Sequence, residues 1–264
     1  MSSNSTSKAG SSAGEGRGID RSTAHVGLVC THALELKTLI GRLDRRRRYS
    51  DDGMRFTGGF LDATVRVAVV EAGAGFAAHR MAASILVKEH SPAWIVSTGF
   101  SSSLVDEVRA GDLSLATEIC DTHGQQLNLN CPLPESKHAT LRRHLVADKH
   151  PTTSDQKHQL ADSTSASAVD TTSLAVAQIC GASGTPCLSI RAIVDDLKEE
   201  VPDSVVKVLF EPTSTRTSVS HWLSGLRQPE ELKRWISRAE TVSEHLDQFL
   251  SGVVRQLAEH LEQS

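Results

Sequence analysis

Two carboxylates carry the chemistry this chain offers. The first is Asp195, which with Asp196 closes the run Cys187–Ile193, a short stretch rich in branched residues that reads as a central strand of a helix-flanked sheet. Ligands in open α/β sheets bind at the C-terminal edge of the strands, so a carboxylate there is a site candidate from its position alone. The second is Glu35, placed in the first turn of a helix directly after the strand Ala24–Cys30. Its spacing reads first as a charge that complements the helix dipole, close to the C-terminal end of that strand. Arg191 interrupts the Asp195 strand and reads equally well as a ligand contact or as a half-buried structural partner of Glu118 or Asp170.

Strands and helices alternate around these residues. Thr31 can cap a helix whose apolar stripe is Leu34, Leu36, Leu39, Ile40 and Leu43. Arg55–Leu61 and Val65–Val70 read as a hairpin turning near Asp62-Ala63, with Gly73-Ala74-Gly75 leading from it into a helix through Lys88. That G-x-G lacks the third glycine of a dinucleotide fingerprint, so no dinucleotide follows from it. Ala93–Gly99 is a further strand, Phe100-Ser101-Ser102-Ser103 a polar turn, and Leu113–Ile119 the next strand. Ser173–Cys180 reads as an apolar helix broken by Gly181 and Gly184-Thr185-Pro186. Pro202–Phe210 and Pro229–Gln263 read as helices, the last amphipathic at Leu246, Phe249, Leu250, Val253, Val254, Leu257 and Leu261.

Between these elements, residues 121–165 are polar and interrupted by Pro132, Pro134 and Pro151, open to short elements or to a long loop. His138, His144, His150 and His158 fall there without metal-ligand spacing, and a surface or loop role fits them better than zinc. Residues 1–22 are rich in Ser, Gly, Ala and Thr with no hydrophobic period, and read as a disordered tail ahead of one α/β domain over 23–264.

Bulk properties narrow the function classes. A net charge of −4 over 264 residues argues against a nucleic-acid surface. The cluster Arg45–Arg48 reads as the solvated end of the first helix. No run of about 18 apolar residues spans a membrane, and the N-terminus has no apolar signal core. Five cysteines without a C-x-x-C pair fit reduced, buried thiols, hence a cytoplasmic protein.

The segments VGLVCTHALEL, EAGAGFAAHRMAAS, WIVSTGFSSSLVDEVRAGDLSLATEI and AVDTTSLAVAQICGASGTPCLSIRAIVDD together resemble the purine nucleoside phosphorylase and methylthioadenosine/S-adenosylhomocysteine nucleosidase superfamily. The resemblance covers Ala24 to Asp196 and implies a three-layer α/β/α sandwich around a twisted, partly barrel-like mixed sheet. It implies that Asp195 serves the departing purine as an acid, that Glu35 activates the attacking water, and that Thr98, Gly99, Phe100, Ser101, Ser102, His150, Thr171 and Thr172 line a nucleoside pocket. No cofactor or metal is implied, and the assembly is a homodimer or a trimer-based hexamer. The turn Cys30-Thr31-His32-Ala33 lacks the arginine that phosphorylases of the family place there, which favours hydrolysis over phosphorolysis.

Three positions depart from the pattern. Thr171-Thr172 stand where the family carries Met-Glu, and Thr172 cannot supply a charge-assisted pair to two ribose hydroxyls. Ser101–Ser103 replace a glycine-rich turn. His150-Pro151 falls where main-chain amides meet the purine, and proline has no such donor. The sequence therefore leaves three readings: an N-glycosidase acting on an adenine nucleoside, a weakly active or non-catalytic nucleoside-binding homologue, and a phosphate-dependent phosphorylase.

Overall fold

The structure is a computed structural model, and it describes residues 23–136, 139–212 and 229–262. The tail expected over residues 1–22 lies outside them. Its strands are β1 (Val26–Cys30), β2 (Asp44–Asp51), β3 (Met54–Leu61), β4 (Val65–Glu71), β5 (Trp94–Ser103), β6 (Leu113–Asp121), β7 (Gln126–Asn128), β8 (Ala139–Val146), β9 (Ala168–Asp170) and β10 (Cys187–Asp195). Its helices are α1 (Lys37–Arg42), entered by a 3₁₀ turn at Ala33–Leu36, α2 (Phe76–Ile85), α3 (Ser154–Thr164), α4 (Ser173–Ser183), the single turn α5 (Asp203–Val205) and α6 (Pro229–Glu262).

The strands form one mixed sheet in the order β10-β6-β8-β9-β5-β1-β4-β3-β2. Because β10 also pairs with β5, the strands β5, β9, β8, β6 and β10 close into a five-stranded barrel, and the rest of the sheet fans out from it through β1. This is the partly barrel-like mixed sheet expected from the sequence. Strand period decides which layer each residue faces. Leu28 of β1 and Val67 and Val69 of β4 join Leu246, Leu250 and Val254 of α6 in one core. Val29 and Val70, one residue on, join Ala82 of α2 and Val176 of α4 in the other.

Several expectations need correction. Arg45–Arg48 do not end a helix: they lie in β2, among the described residues an edge strand paired only with β3, where outward charge discourages further strand pairing. The hairpin turn falls at Asp62 and Ala63 as read, both with positive φ. Gly181 lies inside α4, and it is Gly184, at φ 72°, that stops the helix. Phe100–Ser103 are not a turn but the last strand residues of β5, fully paired and buried. The polar 121–165 region holds β7, β8 and α3, and two of its histidines, His144 and His150, are buried rather than on the surface.

Candidate active site

A bulge in β10 between Ile193 and Asp195 shifts the register, so Asp195 lies opposite Ser102 of β5 across the barrel wall. Ser102 Oγ donates to Asp195 Oδ1 at 2.6 Å and lies 2.8 Å from His150 Nε2. The other carboxylate oxygen of Asp195 takes the ammonium of Lys157, an ion pair with neither side chain exposed. Lys157 also donates to the carbonyls of Asp196 and Glu199, both at 2.7 Å, so all three of its N–H bonds are used. Helix α3 delivers it: Thr153 caps the helix by accepting from the Gln156 amide at 3.2 Å, and Lys157 is its one buried residue. Burial pushes the Asp195 carboxyl up to about 6, against the pull of Lys157 and Ser102.

Glu35 is 1% exposed. Its carboxylate accepts from the amides of Thr31 at 2.6 Å, His32 at 3.3 Å and Phe100 at 3.3 Å. It rests against Gly99, whose φ is 145°; a Cβ there would come within 2.7 Å of Glu35 Oε1. Gly99 is thus the floor that lets the carboxylate approach β5. Gly99→Ala is expected to displace Glu35 by an ångström or so and to cost about a hundred-fold in any reaction that needs it. Steady-state rates beside an unchanged circular dichroism spectrum check this.

Arg191 is buried to 1% exposure, not half-buried, and its partner is Asp170; Glu118 pairs with Arg143 instead. Its guanidinium reaches Asp170 at 3.0 Å and Ser97 at 2.8 Å, with Thr172 Oγ1 at 3.5 Å. Asp170 also accepts from the amides of Thr172 at 2.6 Å and Ser173 at 2.7 Å at the start of α4. Burial works against its charge, but Arg191 and these amides outweigh it and hold the carboxyl below its ordinary value.

Glu35, Phe100, His150, Thr171, Thr172 and Arg191 line one small cavity of about 10 Å³, roughly a single water. Phe210 closes it, stacked on the His150 ring with centroids 3.6 Å apart. Asp195 and Ser102 stand behind this wall and reach it through His150, and Thr98 and Ser101 are not part of its lining: Ser101 Oγ bonds the Val169 carbonyl at 2.7 Å. Thr171 is shared with a larger cleft of about 750 Å³, within the range of ligand sites, lined also by Gly73, Ala74, Gly75 and Glu211. Sequence reasoning missed Lys157, which in Asp-Gln-Lys-His looks like a solvated helix charge, and Phe210, which looks like an ordinary core residue. Among the described residues no three His, Cys, Asp or Glu side chains group as metal ligands, and no helix is long and apolar enough to cross a membrane.

A closed five-stranded barrel continued into an open sheet, with buried charged side chains gathered at the strand ends, defines the nucleoside phosphorylase-like class of α/β proteins. The family model of the phosphorylase superfamily matches residues 25–153, and the fold is of the nucleoside phosphorylase-like kind. Solved structures with the same fold include a methylthioadenosine/S-adenosylhomocysteine nucleosidase from Colwellia psychrerythraea in complex with adenine, at TM-score 0.66 and 18% identity over 89% of this chain and 96% of that one. The futalosine hydrolase of Helicobacter pylori superposes at TM-score 0.62 and 14% identity, over 88% and 97% of the two chains. The nucleosidase of S. pneumoniae, solved with a transition-state inhibitor, gives 0.60 and 16%, over 84% and 98%. No curated protein sequence matches the chain.

Proposed function

We propose that this protein is a nucleosidase-type N-glycosidase, hydrolysing the bond between base and ribose in an adenine nucleoside of the methylthioadenosine or S-adenosylhomocysteine kind. The observation that carries the reading is Glu35, a buried carboxylate fixed by three amides on the wall of a cavity it shares with Thr172 and His150. In that place it activates water for attack on the ribosyl cation that forms as the base departs. Asp195 serves the departing purine, and a carboxyl titrating near 6 is suited to acid catalysis close to neutral pH. The ribose and its 5′ substituent extend past Thr171 into the larger cleft.

Hydrolysis is favoured over phosphorolysis by the guanidinium inventory. Among the described residues Arg191 is the one arginine lining the small cavity, and it is spent on Asp170 and Ser97. Arg80 lies on the exposed side of α2, bonded to Gln178 at 2.9 Å. Neither offers a phosphate the bidentate clamp it needs.

A second reading, a weakly active or non-catalytic nucleoside-binding homologue, draws support from the Lys157 ammonium on Asp195, the closed state of the cavity and Thr172 in place of a ribose-gripping carboxylate. Adenine release from methylthioadenosine and S-adenosylhomocysteine, with and without phosphate and beside Asp195→Asn, separates these readings. Phosphate-independent release lost in Asp195→Asn is the expected result. Release only with phosphate would move the protein to phosphorolysis. Saturable nucleoside binding without release would establish the second reading.

A further inference from the structure

Asp195 poses a geometric problem for its own assignment. It has no exposure and does not line the cavity, so no base can touch it in the arrangement described. What does line the cavity is His150, 5% exposed, and its Nδ1 has no hydrogen-bond partner among the described residues. An imidazole nitrogen left bare in a buried wall is costly unless something meets it.

The hydrogen bonds behind it have a definite polarity. Asp195, facing an ammonium, accepts only, so the single Ser102 hydroxyl proton points to Asp195 Oδ1. Ser102 Oγ must then accept from His150 Nε2–H, which leaves Nδ1 as the bare nitrogen. Protonating Asp195 reverses every bond: Asp195 donates to Ser102, Ser102 donates to Nε2, and Nδ1 carries the hydrogen.

Resting on the nucleosidase reading of this site, we propose that Asp195, Ser102 and His150 form a proton wire, and that His150 Nδ1 is the group that delivers the proton to the purine. The step balances. The C1′–N9 bond breaks with its electron pair going to the base, and purine N7 takes the proton of His150 Nδ1. Nε2 takes the proton of Ser102, and Ser102 takes that of Asp195. Asp195 is left ionised beside Lys157, with the bond directions the structure displays, and the Glu35-activated water completes the ribose. Solvent then returns a proton to Asp195 and takes one from Glu35, which closes the cycle. The base reaches Nδ1 when Phe210 gives up its stack on the His150 ring. His150 is the catalytic residue of the wire, while Ser102 and Asp195 act through it.

Burial, more than the charges around the wire, keeps the imidazole neutral in both states. Lys157 and Asp170 face His150, Glu211 accepts from its amide at 3.3 Å, and Lys157 and Glu199 face Asp195. Burial, reinforced by Lys157, lowers the His150 pKa to about 3. Its proton therefore exchanges between nitrogens instead of adding to the ring.

Nitrogen-15 NMR of histidine-labelled protein, with the His150 signals assigned through His150→Gln, reads the wire directly. A change from the Nε2–H to the Nδ1–H tautomer between pH 8 and pH 5, lost in Ser102→Ala, is expected. A tautomer that stays fixed over that range, or a response that survives in Ser102→Ala, would overturn the proposal. Kinetics give the second readout. Ser102→Ala is expected to lower kcat for adenine release about a hundred-fold with KM nearly unchanged, and to slow p-nitrophenyl riboside, whose leaving group departs without a proton, at least ten-fold less. Equal losses on the two substrates would mean that Ser102 is structural and the wire is wrong. Wild-type protein that cleaves neither substrate would sink the nucleosidase reading, and the NMR experiment would still decide the wire.

Discussion

Replacing Glu35 by glutamine is expected to slow adenine release by about 10²–10⁴-fold, the usual worth of a positioned general base. The carboxylate accepts amide hydrogen bonds on both oxygens. A carboxamide can keep only one side of that arrangement. With its oxygen toward Thr31 and His32, its NH₂ group faces the Phe100 amide, donor against donor. That mismatch costs about 1–3 kcal/mol of stability, so rates belong at a temperature where thermal unfolding shows the variant fully folded. Adenine binding should persist, because in the proposed reaction Glu35 acts on water and not on the base. A variant that loses binding in parallel with rate would show that Glu35 merely shapes the cavity. Unlike Ser102→Ala, this variant slows substrates with good leaving groups as well.

Lys157→Met should be the most destabilising single change at this site. It strands a buried carboxylate and leaves the carbonyls of Asp196 and Glu199 without their donor. Breaking one side of a buried ion pair costs about 3–5 kcal/mol. The loss should depend on pH with a definite sign. Burial already raises the folded-state Asp195 carboxyl to about 6 despite Lys157, and removing the ammonium raises it further. The folded variant then holds a proton that the unfolded chain, near the ordinary carboxylate value of about 4, releases. Its stability therefore falls as pH rises from about 4 through the folded-state value, and recovers on acidification. Urea unfolding at pH 5 and pH 8 checks this: the deficit relative to wild type is expected to be the larger at pH 8. A deficit equal at both pH values would mean that Asp195 does not take up the proton. Pairing the substitution with Asp195→Asn should return part of the lost stability at pH 8 by removing the stranded charge.

Local chemistry made much of this protein legible. Branched runs at Val26–Cys30, Val65–Val70 and Cys187–Ile193 became central strands, because residues buried on both faces have no polar alternation to disguise them. The turn near Asp62-Ala63 followed from the two strand-like runs that flank it, and both residues take the positive φ such turns use. The motifs around Glu35, Gly99 and Asp195 were visible as a resemblance, since they keep their spacing whatever surrounds them. The errors share a cause. Arg45–Arg48 and Ser101–Ser103 carry residues with weak strand preference, and their neighbours in the sheet override it. Within the polar stretch before Ser165, β8 and α3 are held by cross-strand pairing and a capping box rather than by a strong apolar period.

The sequence by itself determined the class of fold, the two carboxylates and the absence of a phosphate-binding arginine after β1, because these rest on residue type and short spacing. Only the tertiary structure decided what those carboxylates touch. Closure of the barrel through β10 and β5 sets Ser102 against Asp195, and α3 carries Lys157 across 38 positions of chain to the same carboxylate. Contacts of that range arise from packing, and no local pattern encodes them.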